Sequence, residues 1–469
     1  MHILFFNPQG NFDAADSYLA EHPDFGGQLV YVKEVAMAMA KSGHQVDIIT
    51  RRIIDPEWPE FSASIDHYDD SPARLRIVRI PCGGDAFLPK ERLWEHMEAF
   101  VSKTIAFYAG TLPDFVTAHY ADGGYCAALM QAQTGLQFTF TGHSLGAQKM
   151  DKLGMNSANR SQMEQQFRFS RRIAAERLAM NRAFRIITST AQERMEQYAH
   201  PLYTGAVDVN DESRFSVIPP GVNTRVFNTE GGPMDREVGE TLNERLKNPD
   251  QPHLLVSSRI DEKKNILGAV AAYSGSPALT ANAGLVICIR GIDDPFEEFG
   301  KLSTGEQDVL EPVLDLITRA SLRGKVDFLN IQSQAELAAT YRYFARRKSV
   351  FVLTAFYEPF GLAPIEAAAC GLACVATKNG GPSEIFSDGS GILVDPLDSG
   401  DIANGLLKAL RQYEDLSRRA SERVRVKYTW DQTAAGYLSV IGQGQKTGRP
   451  EVTPVPPLDA SSRISEYLD

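Results

Sequence analysis

Cysteine is scarce in this chain, and the little there is does not pair up. The five cysteines, Cys82, Cys126, Cys288, Cys370 and Cys374, are scattered through mostly apolar surroundings. Only Cys370 and Cys374 lie close together, and a C-x3-C spacing without neighbouring histidine or further cysteine does not make a zinc site. Buried, reduced thiols are the expectation, as in a cytoplasmic protein. No apolar run reaches the length of a transmembrane helix, and Met1-His-Ile-Leu-Phe-Phe has neither a basic start nor a cleavage pattern, so it reads as a strand and not as a signal peptide. Positive charge is also short: 48 Lys and Arg against 59 Asp and Glu leave a net −11, which argues against general affinity for nucleic acid or a membrane surface. Any phosphate site must then be a local basic cluster. The dinucleotide fingerprint G-x-G-x-x-G is missing, which weakens a dehydrogenase reading. No Asp-x-Asp stands in a setting suited to a metal, and no internal repeat occurs.

What the chain does contain is two series of strand-like runs alternating with helical patterns, the signature of parallel sheets covered on both faces. At 469 residues it is too long for one ordinary core, and two domains are expected. The first series runs through His2–Phe6, Gln45–Thr50, Leu75–Ile80, Phe115–His119, Phe138–Thr141, Arg185–Ser189 and Phe215–Ile218. A polar, poorly periodic stretch from Asn228 to Gln251 follows. The second series is His253–Ser257, Gly284–Ile289, Val326–Leu329, Val350–Leu353, Ala373–Ala376 and Gly391–Val394. The expected domains are 1–225 and 226–427, with an interdomain cleft as the ligand site. Trp430 to Ile441 has a helical pattern, and the polar, Pro-rich residues after about Gly442 are expected to be loosely ordered.

The segment Phe356-Tyr-Glu-Pro-Phe-Gly-Leu-Ala-Pro-Ile-Glu-Ala carries two carboxylates, Glu358 and Glu366, across a helix start. A glutamate there also simply complements the helix dipole. Unpaired N–H groups in the turn suit an anion, however, so the two acids can hold sugar hydroxyls and a ribose with a diphosphate between them. Ser258-Arg-Ile-Asp-Glu-Lys-Lys-Asn265 follows a strand, and Arg259 and Lys264 are placed to neutralise that diphosphate. In the first half, Gly26 and Gly27 precede a helix, where missing side chains let the backbone come near phosphate or sugar. His143 follows a buried strand, a place where a lone histidine is more often structural. Lys90, Lys149 and Arg168, Arg171 and Arg172 are basic groups of the first half; the three arginines sit at i, i+3, i+4 in an expected helix from Ser161 to Met180. Together Lys90, Lys149, Arg171 and Arg172 make a candidate pocket for a phosphorylated molecule.

Glu358-Pro-Phe-Gly-Leu…Glu366 followed by Asn379-Gly-Gly-Pro-Ser-Glu384 resembles the donor-binding signature of the retaining GT-B glycosyltransferase family that includes sucrose and glycogen synthases. The likeness extends through Asn7-Pro-Gln-Gly-Asn-Phe-Asp, His22-Pro-Asp-Phe-Gly-Gly-Gln, Thr50-Arg-Arg, the Lys90 segment, Thr141-Gly-His-Ser-Leu-Gly-Ala-Gln-Lys and Ile218-Pro-Pro-Gly-Val-Asn, covering residues 1 to about 441.

The resemblance implies an α/β fold of two doubly wound, Rossmann-like domains. In it, 1–225 binds the acceptor, 226–427 binds the nucleotide sugar, and 428–469 crosses back to the first domain. It implies that Gly27, Arg259, Lys264, Glu358, Phe360, Gly361, Leu362 and Glu366 hold the donor, and that Gly26, Gln28, Lys90, Lys149, Arg171 and Arg172 hold the acceptor. His143, Arg259, Lys264 and Glu358 stand at the chemistry, with the His143 backbone carbonyl facing the anomeric carbon. The implied reaction moves glucose from a nucleoside diphosphate glucose, UDP-glucose or ADP-glucose, to fructose 6-phosphate to give sucrose 6-phosphate. The leaving phosphate takes the acceptor proton, and no cofactor or essential metal is involved. The chain lacks the phosphatase-like extension of some relatives, so a separate phosphatase is expected downstream. The alternatives are mannosylfructose-phosphate synthase or sucrose synthase chemistry on the same fold, a sugar-nucleotide epimerase, or a non-catalytic nucleotide-sugar sensor.

Overall fold

In the computed structural model, residues 1–17, 24–69 and 71–469 are described; His22 and Pro23 of the resemblance lie outside them. The chain separates into two compact units, Met1–Pro219 with Thr433–Asp469, and Pro220–Gln432. The expected boundaries at 225/226 and 427/428 therefore lie at 219/220 and 432/433.

The first unit carries β1 (His2–Phe6), β2 (Gln45–Arg52), β3 (Ile65–Asp66), β4 (Leu75–Pro81), β5 (Phe115–His119), β6 (Phe138–Thr141), β7 (Arg185–Thr188) and β8 (Phe215–Val217). Their order is β3-β4-β2-β1-β5-β6-β7-β8. All pairs are parallel except β3, which runs antiparallel to β4 for two residues at the sheet edge. The central strands read as unbroken apolar runs because helices cover both faces. Leu4, Phe6, Phe138 and Phe140 belong to one buried cluster with Val101, Met130 and Ala179.

The second unit carries β9 (His253–Ser257), β10 (Gly284–Ile289), β11 (Val326–Asn330), β12 (Val350–Leu353), β13 (Ala373–Thr377) and β14 (Ile392–Val394), ordered β11-β10-β9-β12-β13-β14 and wholly parallel. Successive side chains face opposite ways: Leu254 and Val256 enter one core with Val270 and Leu406, and Leu255 enters another with Phe344 and Ile365. Each sheet reverses its winding once, between β1 and β5 in the first unit and between β9 and β12 in the second. At such a reversal the loops after the two adjacent strands diverge and leave a crevice at their C-terminal ends.

Three expectations are corrected. The stretch 228–251 contains a helix, Asp235–Arg245, whose narrow apolar stripe of Val238 and Leu242 is buried. Its Asp235 is gripped by Arg342 at 2.6 Å and Arg346 at 2.8 Å, which the weak periodicity could not announce. The chain after Gly442 is docked: the helix from Trp430 continues to Lys446, and a further helix, Ser461–Leu468, buries Ile464 in the core of the first unit. The single helix from Ser161 to Met180 is two, Arg160–Phe167 and Phe169–Arg182, broken where Arg168 adopts φ 53°, ψ 42°. All five cysteines are free and buried. Among the described residues no helix is long and apolar enough to cross a membrane, and no group of three or more His, Cys, Asp or Glu is placed to hold a metal ion.

Candidate active site

In the second unit, the loops after β9 and β12 bring the expected donor residues to one sheet edge, at the reversal of winding. Lys264 Nζ donates to Glu358 Oε2 at 2.6 Å. The backbone holds that pair in place: Phe356 N–H donates to Lys263 O, and Thr354 Oγ1 donates to Asn265 O. Asn265, at φ 50°, caps the next helix with its side-chain oxygen. Arg259 is exposed and has no carboxylate partner among the described residues. Glu358 is also locked from the other side by the turn Asn379-Gly-Gly, with Glu358 N–H bound to Asn379 O and Gly381 N–H bound to Glu358 O. A Cβ on Gly380 would sit 2.1 Å from Glu358 O, and one on Gly381 2.1 Å from Phe360 O, so only glycine admits this approach.

The helix Leu362–Ala369 starts at Gly361, φ 107°, with no side-chain cap, which leaves its first amides available to an anion. Phe360 is partly buried near Tyr428, and Leu362 is exposed. One turn in, Glu366 makes no side-chain hydrogen bond among the described residues, and burial pushes its carboxyl up to about 7. This edge thus offers a held carboxylate, a half-buried acid with spare acceptors, and two cations.

The first unit places its candidate residues after β1, β4, β5 and β6. One pocket is lined by Gln9, Lys90, Trp94, Tyr120, Asp122, Lys149, Phe167 and Arg172, together with Glu91. The basic groups are not equivalent. Lys90 pairs with Asp24 at 2.5 Å; burial alone would lower its ammonium, but that bond and charge carry it above its usual value. Arg172 is buried against the buried Glu176, whose oxygens also accept from Gly146 N–H, and it lies 4.5 Å over the Tyr120 ring. Lys149 has no carboxylate within ion-pair distance among the described residues. Its ammonium lies 4.8 Å over the Phe167 ring, lowered by burial and then by Arg172 and Lys90.

Arg171 lies outside the pocket lining, half-exposed and 3.8 Å from Glu95, because on a helix of 3.6 residues per turn it points away from its neighbour Arg172. Two buried acceptors of the pocket, Gln9 Oε1 and Asp122 Oδ2, have no partner among the described residues, and burial pushes Asp122 up to about 7. A spare cation beside spare acceptors is complementary to a molecule with an anionic group and hydroxyls. Asp122, Tyr120 and Gln9 escaped the sequence analysis, although His119-Tyr-Ala-Asp122 directly after a strand was a usable signal.

The first unit also carries the glycine-led helix Gly27–Lys41. Gly26 and Gly27 are exposed, and a Cβ on either would meet nothing within 4 Å. Gln28 is held by Asn7 Oδ1 at 3.0 Å. The histidine expected at the chemistry, His143, sits at φ 56° after β6, and its Nε2 is bonded to His119 Nδ1 at 3.0 Å. Burial holds the His143 imidazole down at about 4, so it is neutral.

Two family models match the chain: "Glycosyltransferase Family 4" over residues 25–226 and "Glycosyl transferases group 1" over residues 239–427. With two parallel-sheet, Rossmann-like units, they define a glycosyltransferase of the GT-B fold. A probable sucrose-phosphate synthase of Thermosipho melanesiensis is 44% identical over 94% of this chain and 96% of its own. The Zea mays sucrose-phosphate synthase is 32% identical over 100% of this chain, which spans 50% of that longer protein. Among solved structures, a sucrose-phosphate synthase from Thermosynechococcus elongatus has a TM-score of 0.65 at 24% identity, covering 96% and 100% of the two chains. The chain belongs to the sucrose-phosphate synthase family.

Proposed function

We propose that this enzyme transfers glucose from a nucleoside diphosphate glucose to fructose 6-phosphate, with retention at glucose C1, giving sucrose 6-phosphate. The observation that carries the acceptor is the pocket where, among the described residues, Lys149 lacks a counter-ion while Gln9 Oε1 and Asp122 Oδ2 lack donors. A phosphosugar supplies an anion to the first and hydroxyls to the others. In this reading Lys90 and Arg172 complete the phosphate site. Arg171, on the exposed side, contributes little beyond long-range charge. Gly26, Gly27 and Gln28 frame the reacting groups.

Arg259 and Lys264 neutralise the departing diphosphate, and its helix-start amides come from Gly361 and Leu362. Glu358 orients glucose hydroxyls, and Glu366 the ribose. The leaving phosphate takes the acceptor proton, and the His143 carbonyl faces the anomeric carbon. No metal or cofactor enters this reading. The family names of the relatives support the same reaction. The free, buried thiols suit a cytoplasmic enzyme, and a separate phosphatase reaction consumes the product.

The test is product analysis over UDP-, ADP- and GDP-glucose and the matching mannose nucleotides, each with fructose and fructose 6-phosphate. Sucrose 6-phosphate formed only with the phosphorylated acceptor is the expected result. Equal transfer to free fructose would sink the acceptor reading, and a mannosyl product would sink the donor reading.

A further inference from the structure

Thr117, His119 and His143 form a line of polar atoms through the core of the first unit. Thr117, in the middle of β5, is fully buried, and its Oγ1 lies 3.1 Å from His119 Nε2. His119 Nδ1 in turn lies 3.0 Å from His143 Nε2. The His119 ring is fixed by stacking on Phe5, with centroids 5.4 Å apart and planes 7° apart. Tyr31 meets the His143 ring edge-on at 4.8 Å. The surrounding hydroxyls do not compete for the imidazole nitrogens: Tyr31 and Tyr437 bond each other at 3.1 Å, and Tyr437 bonds Thr141 Oγ1 at 2.6 Å.

Two proton arrangements fit these distances. In one, Thr117 Oγ1–H donates to His119 Nε2, His119 Nδ1–H donates to His143 Nε2, and His143 carries its proton on Nδ1. In the other, every donor is reversed and the Thr117 hydroxyl proton points at nothing, since His119 is its one partner among the described residues. A buried orphan donor costs more than an unused lone pair on an oxygen that already has a partner. We propose that Thr117 and His119 are positioning residues that order the protons of this line and hold His143 as its neutral Nδ1–H tautomer. His143 thereby presents a fixed hydrogen-bond donor, and in the function proposed above its acceptor is a hydroxyl oxygen of a bound sugar. That last clause rests on the function proposed above; the tautomer does not. Burial drives both imidazoles down, with His143 adding to the effect on His119, so the line stays uncharged around neutrality.

The experiment is nitrogen NMR on the full chain labelled with ¹⁵N-histidine, with His119 and His143 identified from single His→Gln variants. A protonated Nδ1 and a bare Nε2 on His143, unchanged from about pH 6 to about pH 8, is the expected result; a protonated Nε2 overturns the proposal. Thr117→Val removes the ordering hydroxyl at nearly constant shape. It should mix the His143 tautomers and lower kcat about tenfold, the effect of one misdirected hydrogen bond. The acceptor KM should not change, and Thr117→Ser should restore both readouts. A Thr117→Val enzyme with the wild-type tautomer and kcat also overturns it. If the wild-type protein transferred no glucose while His143 still showed the Nδ1–H form, the proposed reaction would fail and the relay would stand.

Discussion

The edge of β9 and β12 and the edge of β1, β5 and β6 carry similar charges in different company. Among the described residues each has a cation without a carboxylate partner, Arg259 in one and Lys149 in the other. Each also has an acid raised to about 7 by desolvation, the half-buried Glu366 and the buried Asp122. Arg259, however, is exposed and Lys149 half-buried over Phe167. In the second unit the fixed parts are backbone: two turns locked through Gly380 and Gly381, an uncapped helix start, and Lys264 held on Glu358. In the first unit the fixed parts are side chains, with Arg172 braced by Glu176 and Lys90 by Asp24. A common chemical group, such as a diphosphate, can be bound by backbone amides. Discriminating one phosphorylated sugar from its neutral counterpart calls for a partly desolvated cation, which loses more when the anion is missing.

The most severe test removes the cation proposed to stand beside the leaving group. Lys264→Ala should lower kcat about a hundred- to a thousandfold, with the acceptor KM nearly unchanged; near-normal turnover would remove the leaving-group role. Lys149→Ala should next raise the KM for fructose 6-phosphate about 10- to 100-fold, the loss of a charge-assisted hydrogen bond. The donor KM should stay constant, and equal shifts in both would erase the contrast between the edges.

The pH dependence follows from Glu366. In its proposed role an acid raised to about 7 must ionise to accept from both ribose hydroxyls, so donor affinity should fall as pH drops. Between about pH 8 and about pH 6 the ionised fraction falls roughly tenfold. A donor KM that is flat in wild type, or as steep in Glu366→Gln, would reject that role. The sign for stability is opposite. Above the ordinary glutamate value the unfolded chain has released a proton that the folded one keeps up to about pH 7, so this group costs stability as pH rises through that window. Arg171→Ala is the mildest case, expected to change either KM less than about twofold, as an exposed pair at 3.8 Å contributes little. A tenfold effect would bring it into the site.

The strands and the order of the donor motifs were legible because buried parallel strands are continuous apolar runs, and Glu358-Pro-Phe-Gly with Asn379-Gly-Gly is a local pattern. The partners were not, because they are far apart in the chain. Nothing near Lys90 announces Asp24 as its counter-ion, and nothing near Arg172 shows that Gly146 shares Glu176 with it. Arg168, Arg171 and Arg172 looked coplanar at helical spacing; the left-handed turn at Arg168 has no glycine to mark it. The helix Ser461–Leu468 was hidden by its polar composition, although Ile464, Tyr467 and Leu468 recur at helical spacing and pack on the first core.

The return of the chain to its first sheet has a consequence for synthesis. Tyr437 bonds Tyr31 and Thr141, and Ile464 seals a core begun by Leu4. A ribosome delivering about 5–20 residues per second needs roughly 10–40 s to make the intervening unit. For that interval the first sheet waits without its closing helices, and its apolar seat for them is open to chaperones.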